Sequence, residues 1–287
     1  MNIPFNKPFL TGKETQYITE AVNSGHIAGN GMFTRKCQVF LENRLEVNKC
    51  RLTTSCTDAL EMAALLMELK EGDEVIMPSY TFVSTANAFL LRGVTIKFGD
   101  CYPNSPNIDP KSIASLITNK TKVIVVVHYA GIACAMDEIM QLAKQHHLYV
   151  VEDAAHAIAS YYKGRPLGSI GDFGTLSFHE TKNIIAGEGG ALLINNEKFS
   201  EQVDIVWEKG TNRSEFFRGE ANKYEWKGLG SSFYPSDITA AYLFAQLENL
   251  DQIQGKRGAI WQRYCDELLF LEDEGRIRLP FIPAYAT

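Results

Sequence analysis

The residues with chemical potential in this sequence are a lysine, an aspartate, a phenylalanine and a run of small hydroxyl side chains, each placed after a strand-like stretch or opening a helix. Lys182 ends the segment Thr175-Leu176-Ser177-Phe178-His179-Glu180-Thr181-Lys182, and Gly187-Glu188-Gly189-Gly190 follows it. A lysine so placed can be aimed into a site, although most lysines are solvated surface groups. In Val150-Val151-Glu152-Asp153-Ala154-Ala155-His156 a hydrophobic run ends abruptly in two carboxylates. Asp153 can there hold a proton on a heteroaromatic nitrogen, or simply cap the next turn; His156 reads as a helix-side residue bonded locally. Thr53-Thr54-Ser55-Cys56-Thr57-Asp58 leads into an apolar helix. Its free N–H groups and dipole suit an anion such as phosphate, while a plain Ser/Thr cap has the same signature. Phe82, in Pro78-Ser79-Tyr80-Thr81-Phe82-Val83, can stack on a flat cofactor or sit in the core. Lysine forms Schiff bases with pyridoxal phosphate, and Asp is the usual partner of that cofactor's pyridine nitrogen. In chain order these segments supply a phosphate cradle, a stacking ring, a pyridinium partner and a Schiff-base lysine.

The elements that must position them are an alternation of strands and helices. Apolar spacing predicts helices at about 14–23, 33–45, 57–69, 81–91, 110–117, 136–147 and 197–208. Between them, β-rich runs fall at Glu74–Met77, Val94–Phe98, Val123–Val127, Leu148–Val151, Thr175–Phe178 and Ala191–Ile194. Such alternation implies a largely parallel sheet, covered on both faces, with ligands beyond the carboxyl ends of its strands. Residues 209–234 read as one long loop, polar and aromatic, offering Lys209, Arg213, Arg218 and Lys223 either to a nucleotide diphosphate or to solvent. Two further helices, 237–250 and 257–271, follow.

Composition narrows the class. With 45% hydrophobic and 22% charged residues the 287-residue chain is globular, neither disordered nor coiled coil, and long enough for one large domain and part of a second. A net charge of −6 argues against nonspecific nucleic-acid binding. The richest apolar stretch, Val123–Met136, is broken by His128 and Tyr129 and is too short to span a membrane. Met1–Leu10 lacks the apolar block of a secretory signal, so the cytoplasm is the expected compartment. Cys37, Cys50, Cys56, Cys101, Cys134 and Cys265 form no CxxC pair and no ligand spacing with His; they read as free thiols, and no metal is expected. A Walker-type GxxxxGK and a GxGxxG are both absent.

Taken together, these segments resemble the DegT/DnrJ/StrS family of nucleotide-sugar aminotransferases, from Ile3 to the chain's end. The likeness is strongest to the WecE branch, the dTDP-4-amino-4,6-dideoxygalactose transaminases. It rests on Ser55-Cys56-Thr57, Gly72–Phe82, Val127-His128-Tyr129-Ala130-Gly131, Ser177–Asn183 and Lys209–Ser214. The resemblance implies an α/β fold of the aspartate-aminotransferase type (fold type I), with a large pyridoxal-phosphate-binding domain at 1–235 and the start of a small C-terminal domain at 236–287. It makes Lys182 the covalent lysine, Asp153 the pyridine-nitrogen partner and Phe82 the stacking ring. Cys56, Thr57 and Ser177 would bind phosphate, the first two chiefly through backbone N–H, Ser55 would also be a cofactor-binding residue, and His156 would lie close to the cofactor. The implied reaction uses L-glutamate to aminate dTDP-4-dehydro-6-deoxy-D-glucose, for a surface polysaccharide such as an O-antigen, in a cytoplasmic homodimer whose sites lie at the dimer interface.

Two departures qualify the likeness. Where relatives often carry an Asn that reaches a phosphate of the partner subunit, this chain has Tyr234, with Ser231 and Ser232 nearby. Relatives also run on for roughly another quarter of the chain beyond Thr287, which leads to the expectation of an exposed segment after about Gly255 and poor turnover. Two other readings stand beside this one, an inactive binding relative and the gluco epimer as product; a sugar dehydratase of the same family would have His in place of the lysine, and Lys182 speaks against it.

Overall fold

Runs of β-branched residues bounded by polar turns become the strands of a seven-stranded sheet in the computed structural model, which describes residues 3–287. The first two residues of the Met1–Leu10 segment lie outside the described part. The strands are β1 (Lys49–Thr53), β2 (Glu74–Pro78), β3 (Thr95–Gly99), β4 (Thr121–Val127), β5 (Tyr149–Asp153), β8 (Phe173–Ser177) and β9 (Gly190–Ile194), with β6 (Tyr161–Tyr162) and β7 (Arg165–Pro166) forming a small separate hairpin. Their order is β1-β9-β8-β5-β4-β2-β3. In this sheet β9 runs antiparallel to both of its neighbours, and every other pairing of the seven strands is parallel.

The helices α1 (Glu14–Asn23), α2 (Met32–Leu45), α3 (Cys56–Leu66), α4 (Val83–Leu90), α5 (Pro110–Leu116), α6 (Met136–His146), α7 (Gln202–Trp207), α8 (Arg213–Phe217), α9 (Asp237–Leu247) and α10 (Leu250–Asp273) cover both faces. β4 shows why both must be covered. Its Ile124 and Val126 enter a core with residues of α2, α6 and α9, whereas Val123 and Val125 enter a second core with residues of α3, α4 and α7. Side chains on a strand alternate between faces, so a continuous apolar run is the mark of a strand buried on both sides.

The sequence reading misses β1 because Lys49 and Arg51 interrupt it. In the fold both cations converge on Asp204 of α7, at 2.9 and 2.5 Å, while Cys50 and Leu52 alternate inward. Burial opposes the Asp204 charge, but Arg51 and Lys49 hold its carboxyl below the usual range. The region 209–234 is not one plain loop. It contains α8 and is folded back by bridges from Thr211 to Trp226 and from Glu208 to Ser232. Gly210, at φ 74°, is required there, since a Cβ would lie 1.9 Å from the carbonyl oxygen of Gly228. The helix expected at 257–271 is the distal part of α10, a continuous 24-residue helix that passes through Gly255 and Gly258. A helical glycine costs only about 1 kcal/mol relative to alanine, too little to break a helix of long-chain residues. α9 and the first turn of α10 share the core of α1 and α2 through Ala240, Leu243, Leu247 and Ile253, and beyond Ile253 α10 carries exposed Ile260, Trp261 and Tyr264.

Candidate active site

The carboxyl ends of the parallel strands meet around a cleft of about 790 Å³. The end of β2 contributes Tyr80 and Phe82, the end of β5 Asp153 and His156, and the end of β8 Ser177 and Lys182. The start of α3, after β1, adds Ser55, Cys56 and Thr57. Antiparallel β9 starts where these strands end, which brings Glu188 and Gly189 to the same rim. The tertiary structure thus gathers Ser55, Cys56, Thr57, Phe82, Asp153, His156, Ser177 and Lys182 around one cleft.

At one end of the cleft the two readings of the hydroxyl run coexist. Ser55 is the cap, its Oγ accepting from the Asp58 N–H at 3.0 Å. The N–H groups of Cys56 and Thr57 donate to no other described residue. Free donors at the first turn of an α-helix bind anions. Gly190 makes this possible sterically: a Cβ there would lie 2.4 Å from the Cys56 nitrogen.

Asp153 is nearly buried, at 6% exposure, yet its carboxylate faces the cleft. Its Oδ2 accepts from the Thr85 hydroxyl at 2.7 Å and its Oδ1 from the Ala155 N–H at 3.2 Å. Glu152, the adjacent residue, binds His128 and the 168–171 turn instead.

Lys182 is fixed by a tight turn, its N–H donating to the His179 carbonyl at 2.9 Å, and Glu180 N–H donates across to the Gly187 carbonyl at 2.9 Å. Burial pushes the Lys182 amine below the usual lysine range, with Asp153 and Cys56 pulling the other way. Such an amine deprotonates more readily than a surface lysine. His156 is also pushed down, first by burial and then by the Lys182 charge. Its Nδ1 accepts the Ala130 N–H at 3.3 Å, so Nε2 carries the proton of the neutral ring. Ala130 presents that N–H from a left-handed conformation, φ 53°. Tyr129 packs edge-on against His156 and Tyr80 against Tyr129, with ring centroids 5.2 and 4.8 Å apart. Phe82 is the N-cap of α4 and 73% exposed, an unusual position for a ring with no surface to cover.

Other residues fall elsewhere. Lys209, Arg213, Arg218 and Lys223 do not line the cleft. Arg218 is paired with Glu220 at 2.7 Å, Arg213 lies over the Phe217 ring, and the Lys209 amine meets the Tyr234 hydroxyl. Thr81, Thr85, Tyr129, His179 and Glu188 line the cleft without having been assigned a role. Thr81 and Thr85 have a signal in the sequence, two hydroxyls one helical turn apart at the start of α4. Among the described residues no group of three or more His, Cys, Asp or Glu side chains is arranged to hold a metal, and no helix is long and apolar enough to cross a membrane.

Residues 8–281 match the DegT/DnrJ/EryC1/StrS aminotransferase family. The spore coat polysaccharide biosynthesis protein SpsC of Bacillus subtilis is 35% identical over 288 aligned residues, which cover 96% of this chain and 73% of that one. The GDP-perosamine synthase of Escherichia coli is 34% identical, covering 91% and 70%. Among solved structures, an aminotransferase from Psychrobacter cryohalolentis superposes with a TM-score of 0.90 at 31% identity, over 97% of this chain and 72% of that one. The pyridoxal phosphate form of a putative sugar aminotransferase from Streptococcus pneumoniae does so with a TM-score of 0.86 at 28% identity, over 94% and 72%.

Proposed function

The chain belongs to the DegT/DnrJ/EryC1/StrS aminotransferase family, of fold type I, and on that premise we propose that it carries the amino group of L-glutamate to C4 of dTDP-4-dehydro-6-deoxy-D-glucose, giving dTDP-4-amino-4,6-dideoxy-D-galactose. It is a pyridoxal phosphate-dependent sugar aminotransferase. The dTDP sugar rests on the WecE-like segments, while the GDP-perosamine synthase supports the broader class of nucleoside-diphosphate amino sugars. The name of SpsC supports a place in surface polysaccharide synthesis. The observation that carries the proposal is a single cleft lined by the Lys182 amine, the Asp153 carboxylate, the Phe82 ring and the α3 N-terminus.

These groups fit the cofactor in kind. The N–H groups of Cys56 and Thr57, with Ser55, Thr57 and Ser177 beside them, would hold its phosphate, and the exposed Phe82 ring would lie on its plane. Asp153 would keep its ring nitrogen protonated, and the His156 Nε2–H would donate to an oxygen on the ring. When bound, the protonated ring acts as an electron sink for the negative charge left at a carbon that loses a proton. Lys182 does the remaining work. Its amine would hold the cofactor and, once freed by glutamate, would take the proton from the glutamate Cα and, in the second half-reaction, return one to sugar C4. Burial suits that role, because a lysine held toward neutrality alternates between acid and base at small cost.

The assignment extends to a homodimer, supported by exposed Tyr80 and Phe82 on the cleft and exposed Val83 next to them, and to the cytoplasm, supported by free cysteines suited to a reducing compartment. We place residues 1–235 in the large domain and begin a second one at 236, with α9 as its docking helix. Incubation with glutamate and either dTDP- or GDP-4-keto-6-deoxyhexose, followed by NMR of the product, tests the substrate. An amine at C4 in galacto configuration from the dTDP sugar is expected; an amine at C3, a gluco product, or turnover only with the GDP sugar overturns that assignment.

A further inference from the structure

In the wall of the cleft beside Asp153, a chain of hydroxyls runs into its carboxylate. Thr81 Oγ1 donates to Thr85 Oγ1 at 2.8 Å, and Thr85 Oγ1 donates to Asp153 Oδ2 at 2.7 Å. Thr85 is 1% exposed, so its hydroxyl has no water to fall back on. The direction of the chain is set by chemistry: a carboxylate only accepts, so Thr85 must spend its proton on Asp153 and take the Thr81 proton in return. A hydroxyl that accepts is a stronger donor, and one that donates to a charge makes a bond roughly twice as strong as a neutral one.

The same contact fixes geometry. Ala155 N–H binds Oδ1 at 3.2 Å and Thr85 binds Oδ2, and two donors on two oxygens stop the carboxyl group from rotating about its bond to Cβ. Only the lone pairs facing the cleft stay free. Thr85 reaches this place through α4, whose N-cap Phe82 fixes the first turn by accepting the Thr85 N–H at 3.1 Å. One short helix thus carries the exposed ring and the buried hydroxyl on a common rigid piece.

We propose that Thr85 is a positioning residue for Asp153, with Thr81 polarising it, and that this relay orients the carboxylate toward a cationic aromatic nitrogen in the cleft. The inference rests on Asp153 being that nitrogen's partner. Pyridoxamine 5'-phosphate, which binds without a covalent bond, is the probe, and its affinity is measured by equilibrium dialysis on the full chain. Thr85→Val is expected to weaken binding about tenfold, the usual effect of losing a hydrogen bond to a charge. Thr85→Ser, which keeps the hydroxyl, is expected to restore it to within about threefold, and Thr81→Val to fall between them. In an Asp153→Asn background, Thr85→Val should add little, because the two residues act as one unit.

Equal losses in Thr85→Val and Thr85→Ser, or a Thr85→Val loss that adds in full to that of Asp153→Asn, would reduce Thr85 to packing and overturn the proposal. Should Thr85→Val fail to fold, Thr81→Val and Thr85→Ser carry the comparison, and unchanged binding in Thr81→Val removes the relay. If Asp153→Asn itself leaves binding and the glutamate half-reaction unchanged, it is the reading of Asp153 that fails.

Discussion

His128 Nε2 and Glu152 Oε2 lie 2.8 Å apart with both side chains fully buried. The Glu152 carboxylate also takes the N–H groups of Gly168, Ile170 and Gly171 at 2.9, 2.6 and 2.6 Å. Burial works against its charge, yet the His128 bond and these N–H groups hold its carboxyl below the usual range. His128 N–H in turn donates to the Asp153 carbonyl at 3.1 Å. This buried pair therefore ties the ends of β4 and β5 together behind the cleft.

Removing one partner leaves the other polar group buried and unpaired. Glu152→Ala is expected to cost about 3–5 kcal/mol of stability, measured by urea unfolding. A loss under about 1 kcal/mol would show that water or backbone replaces the carboxylate. The pH dependence has a definite sign. A carboxyl lowered in the fold contributes fully above the unfolded value of about 4.3 and loses that contribution as pH falls through its lower folded value. Glu152→Gln should flatten that part of the acid-unfolding curve.

With Lys182 as the proposed attachment point, borohydride reduction of loaded enzyme followed by peptide mapping should label the peptide that contains it and no other. The depressed amine adds a pH test. Because only the neutral amine attacks, loading of the apoprotein should quicken as pH rises, with a midpoint below the value of about 10.4 for an exposed lysine. A midpoint at or above that value would contradict the effect of burial.

Asp153→Asn keeps the shape and removes the charge. The cofactor should still bind, more weakly, and the glutamate half-reaction should slow by about two to three orders of magnitude, the usual loss for an essential electrostatic group. Stopped-flow absorbance on mixing with glutamate reads this directly, and near-normal rates would rule the role out.

Gly190→Ala tests the anion end without touching a polar side chain. The added methyl would meet the Cys56 nitrogen at 2.4 Å and push the first turn of α3 away. Binding of pyridoxamine phosphate should weaken by about tenfold or more, as when a charged hydrogen bond is lost, while binding of phosphate-free pyridoxamine changes little. An equal loss for both would place the phosphate elsewhere.

Which chemical groups stand at the ends of β2, β5 and β8 is legible in the residues alone, because a strand followed by a polar turn is a local pattern. It also carried the double burial of β4, written in its unbroken β-branched run. What it left hidden depends on partners far along the chain. β1 is legible only once Asp204 of α7 arrives to neutralise Lys49 and Arg51, and Glu152 declares its role only when the 168–171 turn folds over it. Thr85 and Asp153 are 68 residues apart, and no local periodicity relates them. That three strand ends, the start of β9 and one helix start share a cleft follows from strand order, which only the folded chain sets. Inserting antiparallel β9 between β1 and β8 sets Gly190 against the α3 N-terminus and leaves its N–H groups free, an arrangement fixed by backbone packing across the sheet rather than by any neighbouring residue.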